Sequence, residues 1–126
     1  GFGKWTLENE PSPRESIEVG AVSGAFFMMD RHAFRSMGGF DEGYFLHVED
    51  VDLCRRVLKA GGSVVYQPHA GALHYGSTSD IPSDAVIEHK GRSLVRYFRK
   101  FANGPLERLV VVLISPLMVR ALRARR

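Results

Sequence analysis

Three features of the 126-residue sequence predict an α/β fold, more closely an α+β fragment with too few strands to close a doubly wound sheet by itself. Two segments rich in β-branched and aromatic residues, Ile17 to Met29 and "SVVYQP" (63–68), read as strand. Val48 to Ala60 carries a helical apolar stripe that ends at Gly61-Gly62. Residues 83 to 126 hold two more helical patterns, separated by Asn103-Gly104-Pro105.

Taken in order, residues 1–16 read as an extended entry segment. Pro11 and Pro13 oppose regular structure there, and no apolar run suggests a signal peptide. Ile17 to Met29 is broken by Gly20 and Gly24, which predicts two short buried strands or one bent one. Asp30 suits the N-cap of a short helix, Arg31 to Met37, whose Ala33, Phe34 and Met37 share a face; Gly38-Gly39 turns the chain afterwards. "FDEGYF" is a loop bounded by aromatics. In the next helix Val48, Val51, Leu53, Cys54, Val57 and Leu58 form the stripe, and Arg55, Arg56 and Lys59 suit the C-terminal end of the dipole. Pro68 closes the second strand, and Ala70 to Tyr75 is a candidate for another. "GSTSDIPSD" is a polar loop. Ser83 or Asp84 is expected to cap a helix reaching about Phe101, with Ile87, Leu94, Tyr97, Phe98 and Phe101 on one side, and Leu106 to Arg126 forms the last helix.

The hydrophobic fraction of 44% suits a domain with a real core, and a single cysteine, Cys54, excludes an internal disulfide framework. The net charge of +3 conceals an asymmetry. Residues 1–89 hold 7 Lys/Arg against 13 Asp/Glu, whereas residues 90–126 hold 10 Lys/Arg against Glu107 alone. The first part could hold a cation; the second suits phosphates or an anionic membrane surface.

The segment "FLHVEDVDLCRR" places three acids, Glu49, Asp50 and Asp52, in the first turn of a helix. The dipole alone favours an acid there by about 0.3–1 kcal/mol, so any one of them has a structural reading. Asp50 is distinguished by the aromatic loop before it, because a partly desolvated carboxylate suits general-base work. Glu49 and Asp52, three apart, share a helix face that Asp50 does not. Asp50 is therefore the candidate reactive group, with Glu49 or Asp52 supporting it. The Asp50-x-Asp52 pair is not read as a metal site, since positions i and i+2 of a helix diverge by about 200°. His74, after a predicted strand and before a polar loop, reads either as a hydrogen-bonded structural histidine or as one ligand of a site completed elsewhere. His47 and His69 lack the spacing of a zinc site.

The ordered ensemble "SGAFFMMDRHAFRSMGGFDEGYFLHVEDVDLCRRVLKAGGSVVYQPHAGALHYGSTS" resembles the C-terminal part of family-2 inverting glycosyltransferases, nearest in character to the bacterial rhamnosyltransferase-like enzymes of surface-polysaccharide assembly. The resemblance, which runs from about Val22 to Gly104, implies a GT-A type fold and inverting sugar transfer from a nucleotide-sugar, with residues 17–104 as the acceptor-side half of the domain; residues 105–126 read from their own pattern as an amphipathic basic helix. It places the general base at Asp50, with Glu49 beside it as the second catalytic candidate. It implies His74 as a ligand of a divalent ion (Mg or Mn) on the nucleotide diphosphate. Gly24 and Ala25 would border the donor sugar, Phe40, Asp41 and Tyr44 would shape the acceptor side, and Ser77 and Thr78 would order over the donor. The nucleotide-binding βαβ units and acidic metal loop of such enzymes are absent before Val19. The chain is therefore expected to be either a fragment of a longer enzyme or a degenerate partner, the fragment being favoured: inactive alone and competent for metal only with the missing half.

The expected partners are the nucleotide-sugar and a glycan or lipid-diphosphate acceptor, in a cytoplasmic setting at the inner face of the membrane. Lys90, Arg92, Arg96, Arg99 and Lys100 form either a solvated face or a contact for a lipid-linked diphosphate. The uncharged run Leu109 to Val119, 11 residues, is too short to span a bilayer, which takes about 20, and Pro116 is expected to bend it. That apolar stretch, followed by Arg120, Arg123, Arg125 and Arg126, suits an interfacial helix or a docking surface, self-association into a homo-oligomer included. A nucleic-acid-binding module is disfavoured because the acidic part repels phosphate. A pure assembly domain differs from the enzyme in having no need for Asp50 and His74 to line one cleft.

Overall fold

In the computed structural model, which describes residues 13–73 and 83–124, the elements run β1 (Ile17–Glu18), α1 (Arg31–Ser36), α2 (Glu49–Lys59), β2 (Val65–Tyr66), α3 (Ser83–Lys100) and α4 (Pro105–Ala124). The chain divides into two compact units. One comprises the residues up to Asp41 together with Asp50–Gly76; the other comprises Glu42–Glu49 with Ser77–Arg126.

In the first unit β1 and β2 pair antiparallel, Ile17 opposite Tyr66 and Glu18 opposite Val65, and Val19 N–H extends the ladder to Val64 O at 2.8 Å. The strand predicted over Ile17 to Met29 is thus two residues long, and it is exposed rather than buried. A two-stranded ribbon covers little of either face, and downstream the backbone donors leave the ladder. Gly24 N–H goes to a carboxylate of α2 instead. Ala70 to Leu73 forms no strand, and the rest of that candidate lies outside the described residues.

The two helices of this unit are bounded by strong local signals. Asp30 caps α1, its Oδ1 accepting from His32 and Ala33 N–H at 2.9 Å each. Both helices end in the same motif: Gly38 N–H to Arg35 O with Gly39 N–H to Phe34 O, and Gly61 N–H to Leu58 O with Gly62 N–H to Val57 O. The glycines that turn the chain, Gly38 (φ 79°) and Gly61 (φ 82°), sit in the left-handed region that a side chain resists. Leu53, Cys54 and Val64 are buried, whereas Leu58, counted in the predicted stripe, is exposed.

In the second unit α3 and α4 pack together as a helical hairpin. Gly91 allows the close approach, since a Cβ there would lie 2.9 Å from Val119 Cγ2. The half-buried Val111, Ser115, Met118, Val119 and Leu122 recur at helical spacing on α4. Glu107 anchors the start of α4 by accepting from Asn103 N–H at 2.7 Å, which lowers its pKa. The helix continues through Pro116. Proline cannot supply the N–H that Val112 O would normally accept, and the Ser115 hydroxyl donates to that carbonyl instead, at 2.8 Å.

Candidate functional site

The acids of α2 reach three different environments. Asp50 is half-buried and held at both oxygens: Oδ2 accepts from Gly24 N–H at 2.7 Å and Oδ1 from Val51 N–H at 2.8 Å. The first bond joins residues 26 apart in sequence and explains the glycine. A Cβ at position 24 would stand 3.3 Å from Asp50 Cβ and 3.4 Å from Oδ2, tighter than ordinary contact. Each carboxylate oxygen offers two lone pairs, so Asp50 keeps accepting capacity after both bonds.

Asp52 is structural. It is 0% exposed and accepts from Arg56 Nε at 2.6 Å, one helical turn on. The same guanidinium donates to Met37 O and, at 2.7 Å, to Gly39 O, the carbonyls at the end of α1. Sequence reasoning assigned Arg56 to the dipole of its own helix; it instead ties α2 to the α1 terminus. The i, i+4 spacing of Asp52 and Arg56 was the available signal. Asp50 and Asp52 therefore bond to separate partners, as expected from their divergence on the helix.

Glu49 opens α2. Its Oε2 is buried without a hydrogen-bond partner among the described residues, a condition that costs about 1–3 kcal/mol and calls for a functional reason. Immediately before it, His47 (φ 64°) and Val48 (φ 76°) both adopt left-handed backbone. For a β-branched residue this is a genuine strain, and it is why the helix starts at Glu49 and not at Val48.

Cys54, one turn after Asp50, is buried and free. Burial raises its pKa, a hydrogen bond with the Val22 backbone opposes that shift, and the negative charge of Asp50 adds to it.

The other predicted residues are distributed as follows. Ala25 N–H donates to Ser23 Oγ at 3.3 Å, a local bond two residues back. Phe40 belongs to an aromatic cluster, edge-on to Phe27 at 5.8 Å and to Phe34 at 5.5 Å, and Asp41 beside it is half-buried. Tyr44 lies in the second unit, buried, with Arg96 Cζ 5.3 Å and Lys100 Nζ 5.8 Å from its ring centre. His74, Ser77 and Thr78 lie outside the described residues. Among the described residues no group of three or more His, Cys, Asp or Glu side chains assembles into a metal site. They do not by themselves fit the divalent ion.

Sequence reasoning missed how α3 holds the aromatic loop. His89, Ser93, Arg96 and Lys100 recur on one helix face. His89 stacks on Phe45 at 4.4 Å, Ser93 Oγ donates to Leu46 O at 2.8 Å, and Arg96 and Lys100 flank Tyr44. A Cβ at Gly43 would fall 2.1 Å from Arg96 Cζ, so the absence of a side chain there admits the guanidinium.

The family profile described as Glycosyltransferase like family 2 matches residues 9–99. The chain belongs to that family. Within it, the chain is 45% identical over 84 residues to the N-acetylglucosaminyl-diphospho-decaprenol L-rhamnosyltransferase of Mycobacterium tuberculosis, a match covering 64% of this chain and 26% of the relative. It is 40% identical over 67 residues to rhamnosyltransferase WbbL of Escherichia coli, covering 50% of this chain and 25% of the relative. A more distant match, 32% over 93 residues, is to human polypeptide N-acetylgalactosaminyltransferase 18, covering 73% of this chain and 15% of the relative. The matched region thus spans about a quarter of the length of its rhamnosyltransferase relatives. No solved structure matches the chain significantly.

Proposed function

We propose that the chain is the acceptor-side part of an inverting, GT-A type glycosyltransferase that moves a sugar from a nucleotide-sugar to a lipid-linked diphosphate glycan at the cytoplasmic face of the membrane. The observation that carries this reading is the fixed Asp50 carboxylate: half-buried, bonded to two backbone donors, and opposed by a glycine at position 24. The relatives support the class of reaction, and the name of the mycobacterial one supports the acceptor class.

In this mechanism an acceptor hydroxyl attacks the anomeric carbon from the face opposite the leaving nucleotide diphosphate. A new carbon–oxygen bond forms, the bond to the diphosphate oxygen breaks, and that oxygen leaves with the electron pair. Asp50 takes the hydroxyl proton as the oxygen becomes electron-poor. Backbone donors keep the carboxylate aimed without supplying a competing proton, so orientation does not have to be established during the reaction. Glu49, the adjacent acid, is the second catalytic candidate. Gly24 and Ala25 are the proposed donor-sugar contacts, Phe40, Asp41 and Tyr44 the proposed acceptor contacts, and Ser77 and Thr78, outside the described residues, are proposed to contact the donor. Charge on the leaving diphosphate calls for a divalent ion, for which His74 is the ligand proposed from this chain; no step here is routed through it. The nucleotide-binding groups belong to the remainder of a protein of the relatives' length, so residues 1–126 alone are inactive.

The test is transfer from a nucleotide-sugar to a lipid-linked acceptor by the full-length polypeptide, wild type against Asp50→Asn. Asparagine keeps the shape and the acceptor oxygen for Gly24 but removes the base, and a rate loss of about a hundredfold or more is expected. Unchanged transfer would return Asp50 to the role of a helix-start acid.

A further inference from the structure

The outer side of α4 carries a row of exposed apolar side chains. Leu106, Leu109, Val110, Leu113 and Leu117 recur at positions i, i+3, i+4, i+7 and i+11 and so share one face, opposite the stripe that packs on α3. They are not marginally open: Leu106 is 73% exposed, Leu113 67% and Leu117 66%. Val112 and Ile114 widen the face on either side. Nothing charged interrupts it between Leu109 and Val119, and it ends at the exposed Arg120 and Arg123, followed in sequence by Arg125 and Arg126. An apolar face of this size on a soluble surface marks a contact.

We propose that this face of α4 seats on an anionic membrane surface, with its leucines in the acyl boundary and Arg120 and Arg123 on lipid phosphates. Three observations select a bilayer surface. No helix of the described residues is long and apolar enough to cross a membrane, so the face lies in the interface plane. The polar residues expected opposite the apolar face of a free interfacial helix are replaced by packing on α3, so the helix is presented as part of a folded hairpin. The charge at the C-terminal end of the face is of one sign: the exposed Arg120 and Arg123 are followed in sequence by Arg125 and Arg126, with no acid after Glu107. Complementarity to anionic lipid follows, and apolar area combined with basic charge gives the two signals that stable peripheral binding needs. A second copy of the chain would bring the same excess of positive charge to the contact. The inference rests on the proposed function only for the lipid-linked acceptor that the docked protein would meet.

The experiment is co-sedimentation of the full-length polypeptide with vesicles of phosphatidylcholine alone or of equal parts phosphatidylcholine and phosphatidylglycerol, at low and raised salt. Binding is expected to the mixed vesicles, weakening as salt rises. Leu109→Ser/Leu113→Ser/Leu117→Ser should lower it by about tenfold or more. Arg120→Gln/Arg123→Gln should lower binding to the mixed vesicles by about tenfold and leave binding to neutral ones unchanged. Circular dichroism establishes that the leucine variant keeps its helices; if it does not, the arginine variant decides alone. Vesicle binding equal to wild type in the deciding variant overturns the proposal. So does a dimer, seen by sedimentation equilibrium, that the leucine variant disperses while neither protein binds vesicles. The vesicles contain neither donor nor acceptor, and Asp50 is untouched, so failure here and failure of the transfer reading are separate results.

Discussion

The unit containing Asp50 and the unit containing the helical hairpin use their charged side chains in opposite ways. In the first, charged side chains are aimed at backbone groups: the exposed Asp30 at His32 and Ala33, the half-buried Asp50 at Gly24 and Val51, and Arg56 at the end of α1 as well as at the buried Asp52 carboxylate. In the second, packing is apolar and aromatic. Its Arg92–Glu88 pair is exposed and Arg96 and Lys100 lie over the Tyr44 ring, while Glu49 keeps one carboxylate oxygen buried. Directional bonds fix a functional group to within a few tenths of an ångström, whereas apolar packing fixes only a face. The contrast suits the proposed reaction centre and the proposed docking surface.

The largest expected effect tests the inward network. Arg56→Ala removes the guanidinium that pairs with the buried Asp52 carboxylate and two donors from the end of α1. A loss of about 3–5 kcal/mol in urea unfolding is expected, while Asp52→Leu/Arg56→Met recovers part of it by removing both charges. A loss below about 1 kcal/mol would mean that the pair is no more than a surface ion pair, and the comparison between the units would break.

How far this network could be read in the sequence depends on the range of each contact. The glycine pairs that end α1 and α2, the Asp30 cap and the last helix are local and were legible. The E-D pair was legible as a candidate because its chemistry is carried by residue type. The Gly24–Asp50 bond spans 26 positions and the Arg56–Gly39 bond 17, and no periodicity announces either. The strand over Ile17 to Met29 was misjudged because strand formation depends on a partner ladder that local composition cannot supply. The start of α2 was misjudged because Val48 adopts a conformation that β-branched residues avoid.

A smaller effect sharpens the role of Gly24. In Gly24→Ala the new methyl meets Asp50 Cβ at 3.3 Å, and relief of that contact displaces the carboxylate from its backbone donor. About 1 kcal/mol of stability should be lost. In the full-length protein transfer should fall proportionately more than stability, because the displaced group is the proposed base. Equal losses would reduce Gly24 to a packing position.

Cys54 gives a pH signature confined to the first unit. Its raised pKa means that the folded state holds the thiol proton after the unfolded chain has released it. Native protein then binds more protons than unfolded protein, so stability falls as pH rises through and beyond the ordinary thiol range. Unfolding of wild type and Cys54→Ala followed from neutral to alkaline pH should show this slope in wild type and its reduction in the variant. Alkylation of the folded protein by iodoacetamide should be slow at neutral pH. Parallel slopes would show that the thiol is not the group responsible.

The smallest effect is expected where the apolar surface is largest. Leu113→Ser on α4 removes an apolar side chain that is already 67% exposed, so folding stability should change by no more than about 0.5 kcal/mol. Against the inner side of α4, Gly91→Ala on α3 drives a methyl to within 2.9 Å of Val119 Cγ2 and should cost about 1 kcal/mol or more. Urea unfolding of the two variants therefore separates the face that folds the hairpin from the face that does not. A substantial loss from Leu113→Ser would mean that the outer leucines contribute to the fold of the polypeptide, and a membrane would not be needed to account for them.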